Sequence, residues 1–385
     1  MVTLKSAEAA LKTVYLGTVT ELLNTRVNPL LTKIQQTSSD VWGKEIRKAA
    51  KAGINGGIGA GDEAGYLPNA APTSFIQFVT TLKNLYGQIE ISDKAIRASA
   101  DGRGAFTDLL NNELEDLLVA SKFNLGRMLY GDGTGTLAAF TNGATRVVSC
   151  ARNLMEGMVV DIYNATGTPI RQGIRISGVN RDTRVIRFEN EGTLTIPNNA
   201  IMVIQGSANK EITGIGAIFS NSGQLYGVSR ADHEFMRPYV NNTATRISDR
   251  FLQETIDRLE LNSNSQINFL ACANDVKYAY QEYLSRFKRN IDVMELAGGF
   301  KTLSFNGIPL VHDRFVENGT MFMLDTTAFR MHQLCDWRYL ETENGNILRQ
   351  SEGKPTYSAT LVKYCDLICD KPNGQGRVRI NTAPL

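Results

Sequence analysis

Histidine is scarce in this chain: 385 residues contain three, His233, His312 and His332. That scarcity narrows the available chemistry, because histidine is the commonest general base and a frequent metal ligand near neutral pH. His233 stands in HEFMR, which lacks the second histidine of a HExxH zinc helix. His332 lies three residues before Cys335, but cysteine–histidine dyads are assembled from distant segments, so this local pairing says little. No GxSxG elbow is present. No catalytic, cofactor-binding or metal-binding residue is therefore assigned, and enzyme is the minority reading. The five cysteines (Cys150, Cys272, Cys335, Cys365 and Cys369) are odd in number and include no CxxC pair. They fit free thiols in a reducing compartment better than a disulfide framework or a zinc site. Long apolar runs are missing, so no membrane span is expected. The first residues, MVTLKSAEAALKTVYLG, make a poor secretion signal. Excess charge is missing too: 41 basic and 39 acidic residues leave +2, without an overall pull towards nucleic acid or membrane. A soluble protein made in the cytoplasm is expected.

What the chain does contain is one long amphipathic stretch. Phe106, Leu109, Leu110, Leu114, Leu117, Leu118, Leu125, Met128 and Leu129 recur at the spacing of a single helix face. Acidic residues gather in its first half and Lys122 and Arg127 in its second, as the helix dipole favours. Thr107 is the expected N-cap, and Gly131 within GDGTG the expected stop. About 24 residues at 1.5 Å each predict a rod of about 36 Å.

Around this helix the chain divides by pattern. Residues 4–50 read as helical, interrupted at Pro29. Residues 52–72 are rich in glycine and alanine; no strand precedes them and no lysine-bearing helix follows, so a flexible arm is expected rather than a phosphate loop. Two alternating segments, 75–82 and 85–92, flank Lys83 and Asn84 and predict a long β-hairpin that needs a surface to lie on. Residues 145–206 hold four or five short strands, expected as a small barrel or sandwich. Arg171, Arg175, Arg181, Arg184 and Arg187 alternate there, but Asp161, Asp182, Glu189 and Glu191 balance them. A solvated strand face is favoured over an oligonucleotide site, which needs net positive charge. From residue 214 the pattern is α+β, with an amphipathic helix at 247–261, a second at 275–287 that Asn274 is expected to cap, a buried strand at 267–273, a loop at 289–301, and strands thereafter.

The order of these parts resembles that of the major capsid proteins of tailed bacteriophages, the Hong Kong 97-type fold. The resemblance is carried by TLKNLYGQIEIS, LLNNELEDLLVASKFNLGRMLYGDGTG, FLACANDVKYAYQEYL, LSFNGIPLVHDRF and ATLVKYCDLICDKPNGQGRVRI. It implies an α+β fold with a long spine helix, an extended β-hairpin loop, axial and peripheral domains, and an inserted small β module. It divides the chain into an N-terminal arm (1–71), an extended loop (72–100), a peripheral domain (101–139 and 357–385), the inserted module (140–214) and an axial domain (215–356). The loop residues Phe75, Phe78, Leu82, Lys83, Asn84, Tyr86 and Gln88 are then expected to contact a neighbouring subunit. Leu110, Leu114, Leu117, Leu118 and Leu125 would form the spine-helix core. The implied function is a self-assembling icosahedral head shell in the virion, made in the host bacterial cytoplasm. The implied partners are copies of itself in pentamers and hexamers, a separate scaffolding protein, a portal and decoration proteins. The shell would enclose double-stranded DNA without reading its sequence; no cofactor and no membrane are implied. The alternatives are a nucleic-acid-binding protein acting through residues 140–214 and a cytosolic enzyme without recognisable motifs. On the capsid reading, replacing residues 76–90 by a glycine–serine linker should leave a soluble subunit unable to assemble.

Overall fold

A computed structural model of the chain describes residues 29–63, 65, 66, 68–94, 105–287, 293–296, 300–341 and 345–383. A 3-10 turn at Leu31–Lys33 leads into β1 (Gln35–Thr37), β2 (Val41–Trp42), β3 (Glu45–Lys51), β4 (Phe75–Thr81) and β5 (Lys83–Ser92). The long helix α1 (Ala105–Tyr130) follows. Next come β6 (Thr136–Asn142), β7 (Val147–Val148), β8 (Val159–Tyr163), β9 (Pro169–Asn180), β10 (Val185–Phe188) and β11 (Ile201–Ile204). A short helix α2 (Ile215–Ile218) and the strands β12 (Gln224–Leu225), β13 (Val228–Ser229) and β14 (Tyr239–Arg246) precede α3 (Asp249–Ser263). The remainder is β15 (Phe269–Cys272), α4 (Asn274–Phe287), β16 (Val293–Leu296), β17 (Phe300–Phe305), β18 (Ile308–His312), β19 (Thr320–Leu324), β20 (Phe329–Tyr339), β21 (Arg349–Gln350), β22 (Thr356–Cys369) and β23 (Gly376–Asn381).

The expected long helix is present, with the stop placed where glycine was expected to place it: the Gly131 amide closes the last turn on the Met128 carbonyl at 3.0 Å. Its start differs. Thr107 lies inside the helix rather than capping it, because α1 begins at Ala105. The 26 residues span about 39 Å. Leu125, Met128 and Leu129 are buried, while Leu117 and Leu118 pack partly exposed against the same core. The side chains of Leu110 and Leu114 lie outside the described ones. Gly87 in β5 brings the sheet close to α1, since a Cβ there would stand 3.0 Å from Leu117 Cδ1.

Below α1 lies a sheet ordered β1-β20-β22-β21, with β5 paired to β22 over ten residues, from Lys83↔Cys365 to Ser92↔Thr356. A seven-stranded sheet, β14-β23-β19-β15-β18-β17-β16, forms the second body. Leu252, Ile256 and Leu259 of α3 and Val276, Tyr280 and Leu284 of α4 share a buried cluster with Leu270, Leu310 and Met323 of that sheet. Ser248 caps α3, its hydroxyl accepting from the Phe251 amide at 3.1 Å. The third body is a closed barrel, β10-β7-β6-β11-β8-β9, with its own core including Leu137, Phe140, Ile162, Ile174 and Met202. Five of its six strands fall within residues 145–206, where four or five were expected, and the sixth, β6, begins at Thr136, ahead of the expected boundary at 140.

Several expectations need correction. Residues 35–51 form strands, not helix, and β3 (EIRKAAK) is the clearest case: helix-favouring residues are held extended by seven antiparallel pairs to β4. The expected helix before Pro29 lies outside the described residues. Residues 75–82 and 85–92 do not pair with each other, because β4 is the partner of β3 and β5 the partner of β22. The hairpin is therefore β3–β4, and the glycine-rich run is its tip rather than a free arm. Val293–Leu296, expected as loop, pairs with β17. The boundary at 357 also fails: β20 and β21 lie in the sheet beneath α1, whereas β23 belongs to the seven-stranded sheet.

Candidate assembly interface

The β3–β4 ribbon has a fixed root and an unsupported end. At the root, Phe78 is fully buried and packs against Tyr226 and Phe235, with ring centroids 5.4 and 6.4 Å away. The Val79 amide donates to the Tyr226 carbonyl at 2.9 Å, and the Leu82 amide to the Lys44 carbonyl at 2.9 Å. Thr80 donates its hydroxyl to Asp366 Oδ2 at 2.8 Å. That carboxylate also accepts from the Thr213 amide and hydroxyl, at 2.7 and 3.0 Å. Burial pushes the Asp366 pKa up, and the hydrogen bonds from Thr213 and Thr80 oppose the shift. Lys48 completes the anchorage with a 2.7 Å ion pair to Asp370.

Past the buried Ala50 and the half-buried Ile76 that faces it in the ladder, the ribbon loses its support. The ladder runs from Glu45↔Thr81 to Lys51↔Phe75. It is prolonged by amide bonds from Ala52 to the Ser74 carbonyl and from Gly56 to the Ala71 carbonyl. Val79 at the root, Trp42 in the adjoining β2, and Phe75, Ile54, Ile58 and Tyr66 towards the tip all present large apolar side chains to solvent. They are half of the twelve such exposed side chains among the described residues. Concentrated exposure of this kind marks a contact surface, since scattered single exposures would need no explanation.

The residues expected to make this contact divide. Phe75 is exposed on the ribbon. Phe78 is a correction, because it fills this chain's own core. Leu82 packs partly buried at the root. Lys83 opens β5 opposite Cys365 and does not sit at a hairpin turn. Asn84, Tyr86 and Gln88 lie on the exposed edge of the alternation in β5, whose intervening Leu85 and Ile89 are buried. Sequence reasoning missed Trp42, Ile54, Ile58 and Tyr66. The available signal was a glycine-rich run between two segments able to pair, 45–51 and 75–81.

The histidines are dispersed. His332 is fully buried, its Nδ1 2.9 Å from the Ser39 carbonyl, and burial pulls its pKa down. His312 is exposed at the end of β18. Among the described residues no group of three or more His, Cys, Asp or Glu is placed to hold a metal ion. No helix among them is long and apolar enough to cross a membrane. On the barrel, Arg175 faces Glu189 at 3.9 Å, Arg181 faces Glu156 at 3.8 Å and Arg146 faces Glu191 at 3.3 Å. These pairs engage two of the five arginines of the row, Arg175 and Arg181, together with Arg146 outside it.

No family model matches the sequence, and no curated protein matches it. Solved structures do. The cyanophage A-1(L) capsid asymmetric unit aligns with a TM-score of 0.56 at 11% identity, covering 94% of this chain and 92% of that one. The holo-SrpI encapsulin complex from Synechococcus elongatus gives 0.49 at 11% identity, covering 93% and 89%. The capsid of a native GTA particle gives 0.47 at 10%, covering 92% and 90%. With its sheet beneath a long helix, its seven-stranded second body and its projecting ribbon, the chain has the α+β fold of a tailed-phage capsid subunit, the Hong Kong 97-type fold, over nearly its whole length.

Proposed function

We propose that this chain is a structural major capsid protein, without enzymatic activity, that assembles with its own copies into the icosahedral head shell of a tailed phage. Pentamers and hexamers of the chain would close the shell around double-stranded DNA without reading its sequence. The likeness in fold to the cyanophage capsid supports this reading. The observation that carries it is the ribbon: a projecting hairpin with Phe75 exposed on its strand, Ile54, Ile58 and Tyr66 exposed towards its tip and Trp42 exposed on the adjoining β2 is costly to leave in water. A neighbouring subunit supplies the missing surface. Closed assemblies reuse one contact many times, so modest contacts suffice.

A separate scaffolding protein, a portal and decoration proteins belong to the same reading, as does synthesis in a bacterial cytoplasm before incorporation into the virion. The nucleic-acid alternative is weakened by the ion pairs that occupy Arg146, Arg175 and Arg181 on the barrel. Electron microscopy of the full chain, expressed with and without its scaffold, tests the proposal. Isometric particles are expected, and a chain that stays monomeric under every condition would overturn it.

A further inference from the structure

On the β3–β4 ribbon, Ile46, Lys48 and Ala50 share one face with Thr80, Phe78 and Ile76, their partners across the ladder. That face is turned to the body of the chain: Ile46, Ala50 and Phe78 are buried, and Lys48 reaches Asp370. Ala52 and Ile54 follow at the same two-residue spacing. Ala52 is still half-buried, whereas Ile54 is 78% exposed. Here the ribbon parts from its own chain. No side-chain hydrogen bond or ion pair among the described residues ties 52–74 to the body; the segment is held by backbone bonds within the hairpin, from Ala52 to Ser74 and from Gly56 to Ala71.

Ile54 lines a cleft of about 980 Å³ whose other wall is the end of α3. Leu261 stands on that wall and is 86% exposed, so the two side chains share a cleft without touching. Phe235, half-buried at the ribbon root, adds to the apolar lining. The cleft is matched in charge as well. The last turn of α3 has no basic residue, and Arg258, one turn back, lies over the Tyr239 ring. The carbonyl end of the helix therefore sits beside Asp257 and Glu260 without a cation from its own last turn. Lys371 supplies one cation to the cleft, while Asp370 is engaged by Lys48. Lys51, on the ribbon wall, is exposed and has no ion-pair partner among the described residues. One hinged movement of the ribbon would bring an apolar side chain to an apolar side chain and a free cation to two carboxylates.

We infer that in the free subunit the ribbon closes over this cleft as a strap, seating Ile54 on Leu261 and Phe235 and bringing Lys51 to Asp257 and Glu260, and that this contact within the chain holds back assembly. The gating rests on the shell reading; the closure does not. The Ile54→Cys/Leu261→Cys variant of the full chain tests the closure, because a disulfide needs Cα atoms about 4.4–6.8 Å apart. Kept dilute and without scaffold, it should oxidise to an intrachain bridge between these two positions, read by peptide mapping and as a faster monomer band on a non-reducing gel, with the parent treated alike as control. Absence of that bridge would overturn the inference. With scaffold supplied, the oxidised variant should form no particles and reduction should restore them; equal assembly in both states would overturn the gating. Leu261→Lys separates the strap from an ordinary contact between copies at this residue. Opening the strap should lower the concentration needed for particles by about threefold, the change expected when two-thirds of free subunits are strapped. An unchanged or raised concentration would overturn the gating. A parent chain that makes no particles would overturn the shell reading and the gating with it, while the bridge in the free subunit would still report the closure.

Discussion

At Asp313 a carboxyl is buried between the last turn of α1 and the seven-stranded sheet. It accepts hydrogen bonds from the Phe315 amide at 3.0 Å and from the Tyr130 hydroxyl. These bonds and nearby Arg314 favour ionisation, yet burial outweighs them and pushes the pKa from 3.8 up to about 6. A carboxyl whose folded pKa is raised contributes stability below its unfolded value, and that contribution is lost as pH rises through the folded value. The Asp313→Asn variant should therefore gain melting temperature relative to the parent as pH goes from about 4 to about 6, then hold level. The full difference is on the order of 3 kcal/mol. Thermal unfolding across that range checks it; a difference that is flat with pH would remove Asp313 from the account. His332 works in the other direction. Its depressed pKa means that stability is lost as pH falls below about 6.5 towards the folded value. Phe78 is a matter of packing alone. Phe78→Ala should cost about 3–5 kcal/mol, read as a lowered denaturation midpoint, because the ring is wholly buried at the ribbon root.

Among the elements, the legibility of the sequence followed the range of the interaction that determines each one. The helix α1 was readable to within a residue at its end because a 3.6-residue period and a glycine stop are local signals. The ribbon was misread because strand partners are chosen across distance. Residues 75–82 and 85–92 alternate correctly, but β5 finds its partner at Thr356–Cys365. The consequence for deletion is direct. Replacing residues 76–90 removes Phe78, Leu85, Ile89 and their share of the core, so aggregation is expected rather than a soluble subunit. Replacing residues 54–72 by a short turn removes only the unsupported tip. That variant should stay soluble, melt like the parent and form no particles; aggregation on expression would show that the tip supports its own chain. Where α1 ends, Gly214 lets the chain cross the open carbonyls. A Cβ there would stand 2.3 Å from the Met128 oxygen and 2.6 Å from the Gly131 oxygen. Both are backbone atoms that cannot step aside, so Gly214→Ala should leave little soluble protein, measured against Gly223→Ala as a control without close neighbours. Gly223 has a φ of +76°, so the control should show the modest strain of a left-handed residue and no more.

For the whole molecule, composition excluded more than it established, and the order of parts carried the fold. The expected capsid architecture is present, but its bodies are cut differently: β20 sits beneath α1 and β23 lies in the other sheet. Of the exposed apolar residues on the proposed contact surface, Phe75 was legible in the sequence, whereas Ile54, Ile58 and Tyr66 lay in a stretch whose glycines masked its place as a hairpin tip. The central proposal is that this chain is completed by its copies, and electron microscopy of the full chain, co-expressed with the scaffolding protein that the proposal calls for, tests it most directly. The account predicts closed isometric shells built from pentameric and hexameric units. Monodisperse monomer at every concentration and salt, with scaffold supplied and the subunit folded, would contradict it.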